Sequence, residues 1–202
     1  MPIRALIVDF VDVLLVQRDR PELRAFEEQR QLPANSVQEA VSQYFDTVEA
    51  EQSSEEDLWR DVARQLGIDP QEWQAIAEVF SPEMGLNDEL LAFVRTLRPS
   101  YKTAILSNAT LATKEMMTQV YRLDDVFDAI IISEEEGVAK PEREMFRRAL
   151  SRLDVKPEEA VFLDDNKICI IMAQRFGLHG IQFRNTEQAI AGIRAVLAAH
   201  AS

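Results

Sequence analysis

Short apolar runs of strand character alternate with helix-like segments over most of this chain, and this alternation limits the fold more than any other feature. The strand-like runs are residues 3–8, 101–106, 129–132, 160–163 and 179–183. Helical patterns follow the last four, at about residues 110–122, 142–153 and 167–176 and from Thr186 onward. Strands separated by helices favour a parallel sheet with right-handed crossovers. We therefore predict an α/β fold built on a doubly wound parallel sheet.

A long helical segment interrupts the alternation after the first strand. From about residue 20 to residue 97, Glu, Gln, Arg and Ala dominate, and apolar residues recur at helical spacing. Breaks that contain Pro or Gly divide this segment into three or four helices. We predict an α/β core made of residues 1–18 and 98–202, and an inserted all-α domain made of residues 19–97.

The charge and composition of the chain argue against several classes of partner. The formal net charge is -13, from 35 acidic and 22 basic residues, and such a charge repels nucleic acid and anionic lipid. No apolar run approaches the ~20 residues of a membrane span. The single Cys cannot form an intramolecular disulfide, which suits a reducing compartment. We expect a cytoplasmic monomer or homodimer that acts on a small molecule, with no nucleic-acid or membrane partner.

Polar residues collect where the predicted strands end. They are Asp9, Ser107 and Asn108, Ser133 and Glu134, and Asp164 and Asp165. An Asp after a strand is usually a helix cap or a turn residue, and a Ser-Asn pair is ordinary turn chemistry. Two adjacent acids at a buried strand end, however, repel each other unless a cation or hydrogen-bond donors lie nearby. Because ligands of open α/β sheets bind outside the carboxyl ends of the strands, this edge is the predicted site.

With these motifs in this order, the chain resembles the haloacid dehalogenase-like hydrolases, in the branch with a helical cap inserted after the first strand. The motifs are Asp9-Phe-Val-Asp12, Ser107-Asn108, Gly137-Val-Ala-Lys140-Pro141 and Asp164-Asp165-Asn166. The resemblance implies a Rossmann-like core, a helical cap and hydrolysis of a small phosphorylated metabolite.

The resemblance also implies a covalent mechanism. Asp9 would be the carboxylate nucleophile that forms an intermediate later released by water. Ser107 would hydrogen-bond the phosphoryl group, and Asn108 lies beside it in the same motif as a further candidate catalytic residue. Lys140 would hold Asp9 and the transferring group in register by its charge.

The implied cofactor is Mg²⁺, which prefers oxygen ligands. By resemblance, its ligands would be Asp9, the backbone carbonyl of Val11, and Asp165. Asp164 would support the metal site.

The first motif departs from the family pattern. Phosphatases of the family carry a second Asp two residues after the nucleophile as the general acid, and similar sequences often have two glycines after Asp-Phe, but this chain has Val11 and Asp12 there. On an extended segment Asp12 would point away from the site, whereas on a turn it can approach it. Because loss of a general acid costs about 10²–10⁴ in rate, we expect weak phosphatase activity.

The helix after the fourth motif is unusually apolar in its first turns, which contain Ile168, Cys169, Ile171 and Met172. Two interpretations stay open: burial against the cap, or a rebuilt pocket. We expect Cys169 to be buried packing, because the only histidines are His179, which we place far from the acids, and His200 in the C-terminal tail.

Two other functions fit parts of the pattern. One is a redesigned or catalytically altered scaffold that binds a small apolar molecule. The other is a metal-independent 2-haloacid dehalogenase, which uses the same nucleophile and does not need the missing acid, although no substrate-binding Arg is evident.

Overall fold

The structure is a computed structural model. It describes residues 1–17, 21–47, 54–80, 84–98 and 100–200. In chain order the elements are β1 (Ala5–Val8), β2 (Leu15–Gln17), α1 (Pro21–Gln29), α2 (Ser36–Thr47), α3 (Glu55–Gln65), α4 (Trp73–Phe80), β3 (Met84–Leu86), α5 (Asp88–Leu97), β4 (Lys102–Ser107), α6 (Leu111–Glu115), β5 (Ala129–Ile132), α7 (Ser133–Glu136), α8 (Arg143–Leu153), β6 (Ala160–Asp164), α9 (Lys167–Phe176), β7 (His179–Gln182) and α10 (Thr186–Ala199). Among the described residues, no helix has both the length and the apolar composition needed to cross a membrane.

The five predicted strand runs form one parallel sheet in the order β5-β4-β1-β6-β7. Successive side chains of β1 point to opposite faces, as a strand requires. Leu6 and Val8 join a core cluster that includes residues of α5 and α10. Ala5 and Ile7 join a second cluster with α8 and α9. Helices therefore cover both faces, and the predicted doubly wound α/β fold is confirmed.

The chain divides into two compact units at residues that differ from the predicted boundaries. One unit is Met1–Val16 with Met84–Ser202, and the other is Gln17–Glu83. The boundary predicted between residues 18 and 19 lies outside the described residues. Residues 84–97 belong to the core unit, although we predicted them in the insert. The reason is that the buried face of α5 packs in the same cluster as Leu6 and Val8.

The unit Gln17–Glu83 is helical over its described residues and has its own apolar core. Its helices are α1 to α4. Together with α5, the described part of residues 20–97 holds five α-helices, one more than the upper end of the predicted three or four. Its buried core residues are Leu23, Val37, Ala40, Val41, Trp59, Val62, Ala63, Ile68 and Ile76. Helix α3 begins at a capping box, in which Ser54 and Asp57 each accept the other's backbone N–H.

The helical pattern predicted at 110–122 is present but not uniform. Helix α6 ends at Glu115 and continues as a π-helical turn over Met116–Val120. Met117 in this turn is buried in the cluster that contains Leu6 and Val8.

Asn87 joins three parts of the core unit, and we expect Asn87→Ala to lower the free energy of unfolding by about 2–3 kcal/mol. Its amide donates to the Val13 carbonyl (3.1 Å) and the Thr186 hydroxyl (2.9 Å), and its oxygen caps α5 by accepting the Leu90 N–H (3.1 Å). The measurement is urea denaturation. The matched control is Asn185→Ala, which removes an exposed cap from α10 and should cost about 1 kcal/mol. Equal costs for the two variants would contradict this account of Asn87.

Candidate active site

The three central strands bring three polar residues to one edge of the sheet. Strand β1 lies between β4 and β6 and is in register with both. Strand β4 ends at Ser107 and β6 ends at Asp164, while Asp9 directly follows β1 and donates its N–H to the Leu163 carbonyl (2.9 Å). The three side chains therefore start from the same end of neighbouring strands.

The ammonium group of Lys140 lies between two buried carboxylates. Its Nζ is 2.8 Å from Oδ1 of Asp9 and 2.7 Å from Oδ2 of Asp164. The side chains of Lys140, Asp9 and Asp164 are 3%, 11% and 0% exposed. Burial disfavours the charged ammonium, but the charges of Asp9 and Asp164 and the hydrogen bonds to both outweigh it and raise the pKa of Lys140. Lys140 is therefore a fixed positive charge at neutral pH.

Asn108 holds the backbone of Lys140 in place. Its Oδ1 accepts the Lys140 N–H (2.7 Å), and its Nδ2 donates to the Lys140 carbonyl (2.8 Å). The sequence marked Asn108 as a candidate catalytic residue beside Ser107. In the structure its side-chain amide positions Lys140, a role that the sequence did not reveal because the two residues are 32 positions apart.

Three carboxylates form a cluster at this edge. One oxygen each from Asp9, Asp164 and Asp165 lies within 4.8 Å of the others. Burial raises the pKa of Asp164 from 3.8 to about 6; the Lys140 charge opposes this shift and the Asp9 charge adds to it. A set of oxygen donors this close suits a hard divalent cation such as Mg²⁺. The residues present therefore fit the predicted metal, whereas the role of the Val11 carbonyl stays a prediction.

Ser107 offers a hydroxyl at the same edge. The residue is only 2% exposed, and its Oγ makes no hydrogen bond to any residue that the structure describes. A hydroxyl without a protein partner at the end of β4 is available to a ligand.

The loop after Asp9 is a turn and not an extended segment. Asp12 has φ 60°, in the left-handed region, and donates its N–H to the Leu15 carbonyl (2.9 Å). Burial raises the pKa of Asp12, and the charges of Asp165 and Asp9 raise it further. Val11, which the resemblance places where phosphatases of the family carry a general acid, is 41% exposed. Of the two cases considered for Asp12, the turn is the one observed.

The first two turns of α9 have both buried and exposed apolar residues. Asn166 caps this helix by accepting the N–H groups of Ile168 and Cys169. Cys169 is buried in the core cluster that also contains Ala5 and Ile7, and Met172 is partly buried against that cluster. Ile168 and Ile171 are 62% and 38% exposed. The prediction that Cys169 is buried packing agrees with this placement.

Both histidines have contacts of their own. His179 Nε2 lies 3.1 Å from the Glu158 carbonyl oxygen, and its ring centroid is 4.5 Å from that of His200.

Burial raises the pKa of the Cys169 thiol to about 11, and the Asp164 charge adds to the effect. The thiol is therefore protonated at neutral pH, which does not suit a nucleophile.

A family model described as haloacid dehalogenase-like hydrolase matches residues 3–177. This chain belongs to that family. It is therefore a relative of hydrolases, and the polar strand ends described above coincide with the motifs that carried the resemblance.

Curated relatives include pyrophosphatases. Pyrophosphatase PpaX of Bacillus cereus strain B4264 is 36% identical over 80 residues, which is 40% of this chain and 37% of that protein. Pyrophosphatase PpaX of Bacillus thuringiensis strain Al Hakam is 34% identical over 80 residues, again 40% and 37%. The matched region thus spans less than two fifths of either pyrophosphatase.

Solved structures share the fold across nearly the whole chain. A predicted HAD-like family hydrolase from Porphyromonas gingivalis has a TM-score of 0.60 at 24% identity, covering 98% of both chains. A HAD family enzyme from Bacteroides thetaiotaomicron, in complex with magnesium and inorganic phosphate, has a TM-score of 0.55 at 19% identity, covering 90% of this chain and 94% of its own. A 2-haloacid dehalogenase from Pseudomonas syringae pv. Tomato has a TM-score of 0.55 at 20% identity, covering 98% and 99%. At these identities the likeness shows a common fold.

Lys140→Met should lower the free energy of unfolding by about 3–5 kcal/mol at pH ~8, because it leaves two buried carboxylates without their cation. The folded-state pKa of Asp164, about 6, already lies above the unfolded value of 3.8, and loss of Lys140 raises it further. The loss in free energy of unfolding caused by Lys140→Met should therefore become smaller as the pH falls from about 8 to about 5, because Asp164 takes up a proton. Chemical denaturation at both pH values measures it.

The matched control for this variant is Lys114→Met. Lys114 pairs with Glu135 at 2.5 Å on the surface, where an ion pair contributes about 0–1 kcal/mol. Similar, pH-independent losses in both variants would contradict a buried charge pair at Lys140.

Cys169 should react slowly with iodoacetamide in the folded protein. At pH ~8 a thiol of pKa about 11 is ionised about 100-fold less than an ordinary thiol of pKa 9.0, and burial restricts access further. Mass spectrometry of the native chain and of the urea-unfolded chain gives the two alkylation rates. Comparable rates in the two states would show that the thiol is neither buried nor perturbed.

Proposed function

We propose that this chain is a magnesium-dependent hydrolase of a small phosphorylated metabolite, with Asp9 as the nucleophile. The observation that carries the proposal is the Lys140 ammonium, 2.7–2.8 Å from Asp164 and Asp9, beside a third carboxylate on Asp165. The pyrophosphatase relatives, and the related fold of an enzyme in complex with magnesium and phosphate, support a phosphorus substrate.

The metal would be held by Asp9, Asp165 and the Val11 carbonyl, with Asp164 in support. When bound, Mg²⁺ supplies positive charge that offsets repulsion between the nucleophile and the phosphoryl oxygens. This need is acute here because the chain as a whole carries a net charge of -13.

The protein's own groups carry the remaining steps. A carboxylate oxygen of Asp9 attacks phosphorus, the bond to the leaving oxygen breaks, and an aspartyl phosphate forms. Water then attacks the phosphorus, the bond between phosphorus and the Asp9 oxygen breaks, and inorganic phosphate leaves with Asp9 restored as a carboxylate. Ser107 donates its free hydroxyl to a phosphoryl oxygen, and Lys140 keeps Asp9 oriented while compensating charge that develops in the transition state.

Protonation of the leaving group is the weak step. Val11 cannot donate a proton, and Asp12 on the same turn is the other acid that this loop offers. Turnover should therefore be slow for alkyl phosphates and less impaired for esters whose leaving group is already a stable anion.

The alternatives give different results in the same assays. Exposed Val11, Ile168 and Ile171 favour an apolar group in the bound molecule, as a catalytically altered binding scaffold would require. A scaffold of this kind would show no turnover and no gain in melting temperature with millimolar Mg²⁺. A metal-independent dehalogenase would release chloride from 2-chloropropionate in the presence of EDTA.

Asp9→Asn should reduce Mg²⁺-dependent hydrolysis of p-nitrophenyl phosphate to the metal-free background, because a neutral amide does not form the phosphoryl intermediate. Release of p-nitrophenol, measured with Mg²⁺ and with EDTA, is the readout. Asp124→Asn, on an exposed turn, is the control and should keep the native rate. Native activity in Asp9→Asn would remove the proposed nucleophile.

Val11→Asp should raise kcat for an alkyl phosphate by about 10²–10⁴, because it restores an acid two residues after the nucleophile. The gain for p-nitrophenyl phosphate should be smaller, since its leaving group needs little protonation. Val11→Asn has a similar shape without the acidic proton and is the control. Equal gains for Asp and Asn, or none for Asp, would show that the missing acid does not limit turnover.

A further inference from the structure

The amino end of the sheet, opposite the candidate active site, carries a pocket lined by basic residues. The pocket has a volume of about 430 Å³, and its lining includes Arg4, Arg98, Tyr101, Lys102, Asp128 and Arg152. We call it the basic pocket. All of these residues belong to the core unit.

Separate elements bring the cations of the basic pocket together. Arg4 directly precedes β1, and its carbonyl accepts the N–H of Lys102, the first residue of β4 (2.9 Å). Arg98 directly follows α5, and Arg152 lies in the last turn of α8. The chain carries a net charge of -13, yet four cations and one carboxylate line this pocket.

Helix ends explain part of this arrangement. Carbonyl groups at a helix C-terminus attract cations, and Lys102 Nζ donates to the Leu153 carbonyl at the end of α8 (2.8 Å). Arg98 donates to the Asp125 carbonyl. Each of these contacts uses only part of the donors that an ammonium or a guanidinium group carries.

The carboxylates near the basic pocket leave donors free. Arg4–Glu159 and Arg98–Asp128 are each 3.5 Å, longer than a good charge-assisted hydrogen bond. Asp128 also accepts the Thr103 N–H (2.8 Å), so its charge is shared. Lys102 has no carboxylate within salt-bridge distance among the described residues. Only Arg152 is tightly paired, with Glu136 at 2.5 Å.

We propose that the basic pocket binds a small anion that carries phosphate groups. Guanidinium forks match phosphate oxygens, and a free ammonium adds a point charge. The volume lies in the range of small-molecule sites and accommodates a pyrophosphate or a larger phosphorylated metabolite. This site is separate from Asp9 and does not depend on the proposed hydrolysis.

The test is calorimetric titration of the full chain with pyrophosphate in EDTA, which removes the metal that the active site would need. Binding is expected in the native chain. Arg4→Gln/Lys102→Gln should weaken it by at least about tenfold per lost cation. Arg147→Gln/Arg175→Gln removes the same charge from exposed positions elsewhere and should leave the dissociation constant within about twofold, since distant surface charges are screened. If the first double variant does not fold, Lys102→Gln alone replaces it.

Amide chemical shifts on addition of pyrophosphate locate the ligand. Changes at Tyr101 and Lys102 support the basic pocket, whereas changes confined to Asp9 and Ser107 overturn it. Equal weakening in both double variants, or no heat at millimolar pyrophosphate, also overturns it. Citrate binding as tightly as pyrophosphate would contradict phosphate recognition. Concentration-dependent sedimentation lost only in Arg4→Gln/Lys102→Gln would assign the surface to a second copy of the chain instead.

Discussion

The contact of one ammonium group with two buried carboxylates governs the arrangement of this site. Asp9 and Asp164 extend from neighbouring strands and are almost fully removed from water, so neither carries a negative charge there without compensation. Lys140 supplies that compensation. The same contact ties the ends of β1 and β6 to the segment before α8, and Asn108 adds the end of β4 by binding the Lys140 backbone.

Asp164 also links the charged group to the start of a helix. One of its oxygens accepts from Lys140, and the other accepts the Asn166 N–H (2.8 Å). Asn166 in turn caps α9. A change in the charge of Asp164 therefore acts both on Lys140, the partner of the proposed nucleophile Asp9, and on the helix whose first two turns expose Ile168 and Ile171.

Most of the sheet was predictable because each central strand is a continuous apolar run, which buried parallel strands require. The three-residue strands β2 and β3 were not, since three residues give no recognisable alternation. Helix α5 was assigned to the insert because its sequence resembles the helices before it, and only tertiary packing reveals that its apolar face joins the core. Asp9, Ser107 and Asp164 were recognisable from their place after strands. Lys140 follows no strand and was identified only by family resemblance. The hydrogen bonds that Asn108 makes to its backbone join residues 32 positions apart, so the sequence gives no local sign of them.

The most direct test of this account is a crystal structure of the chain grown with Mg²⁺ and beryllium fluoride, which mimics a phosphoryl group on a carboxylate. The account predicts beryllium bonded to an oxygen of Asp9, the metal between Asp9 and Asp165, and Lys140 Nζ still within hydrogen-bond distance of Asp9 and Asp164. Beryllium fluoride on a different carboxylate, or Lys140 turned away from Asp9, would contradict it.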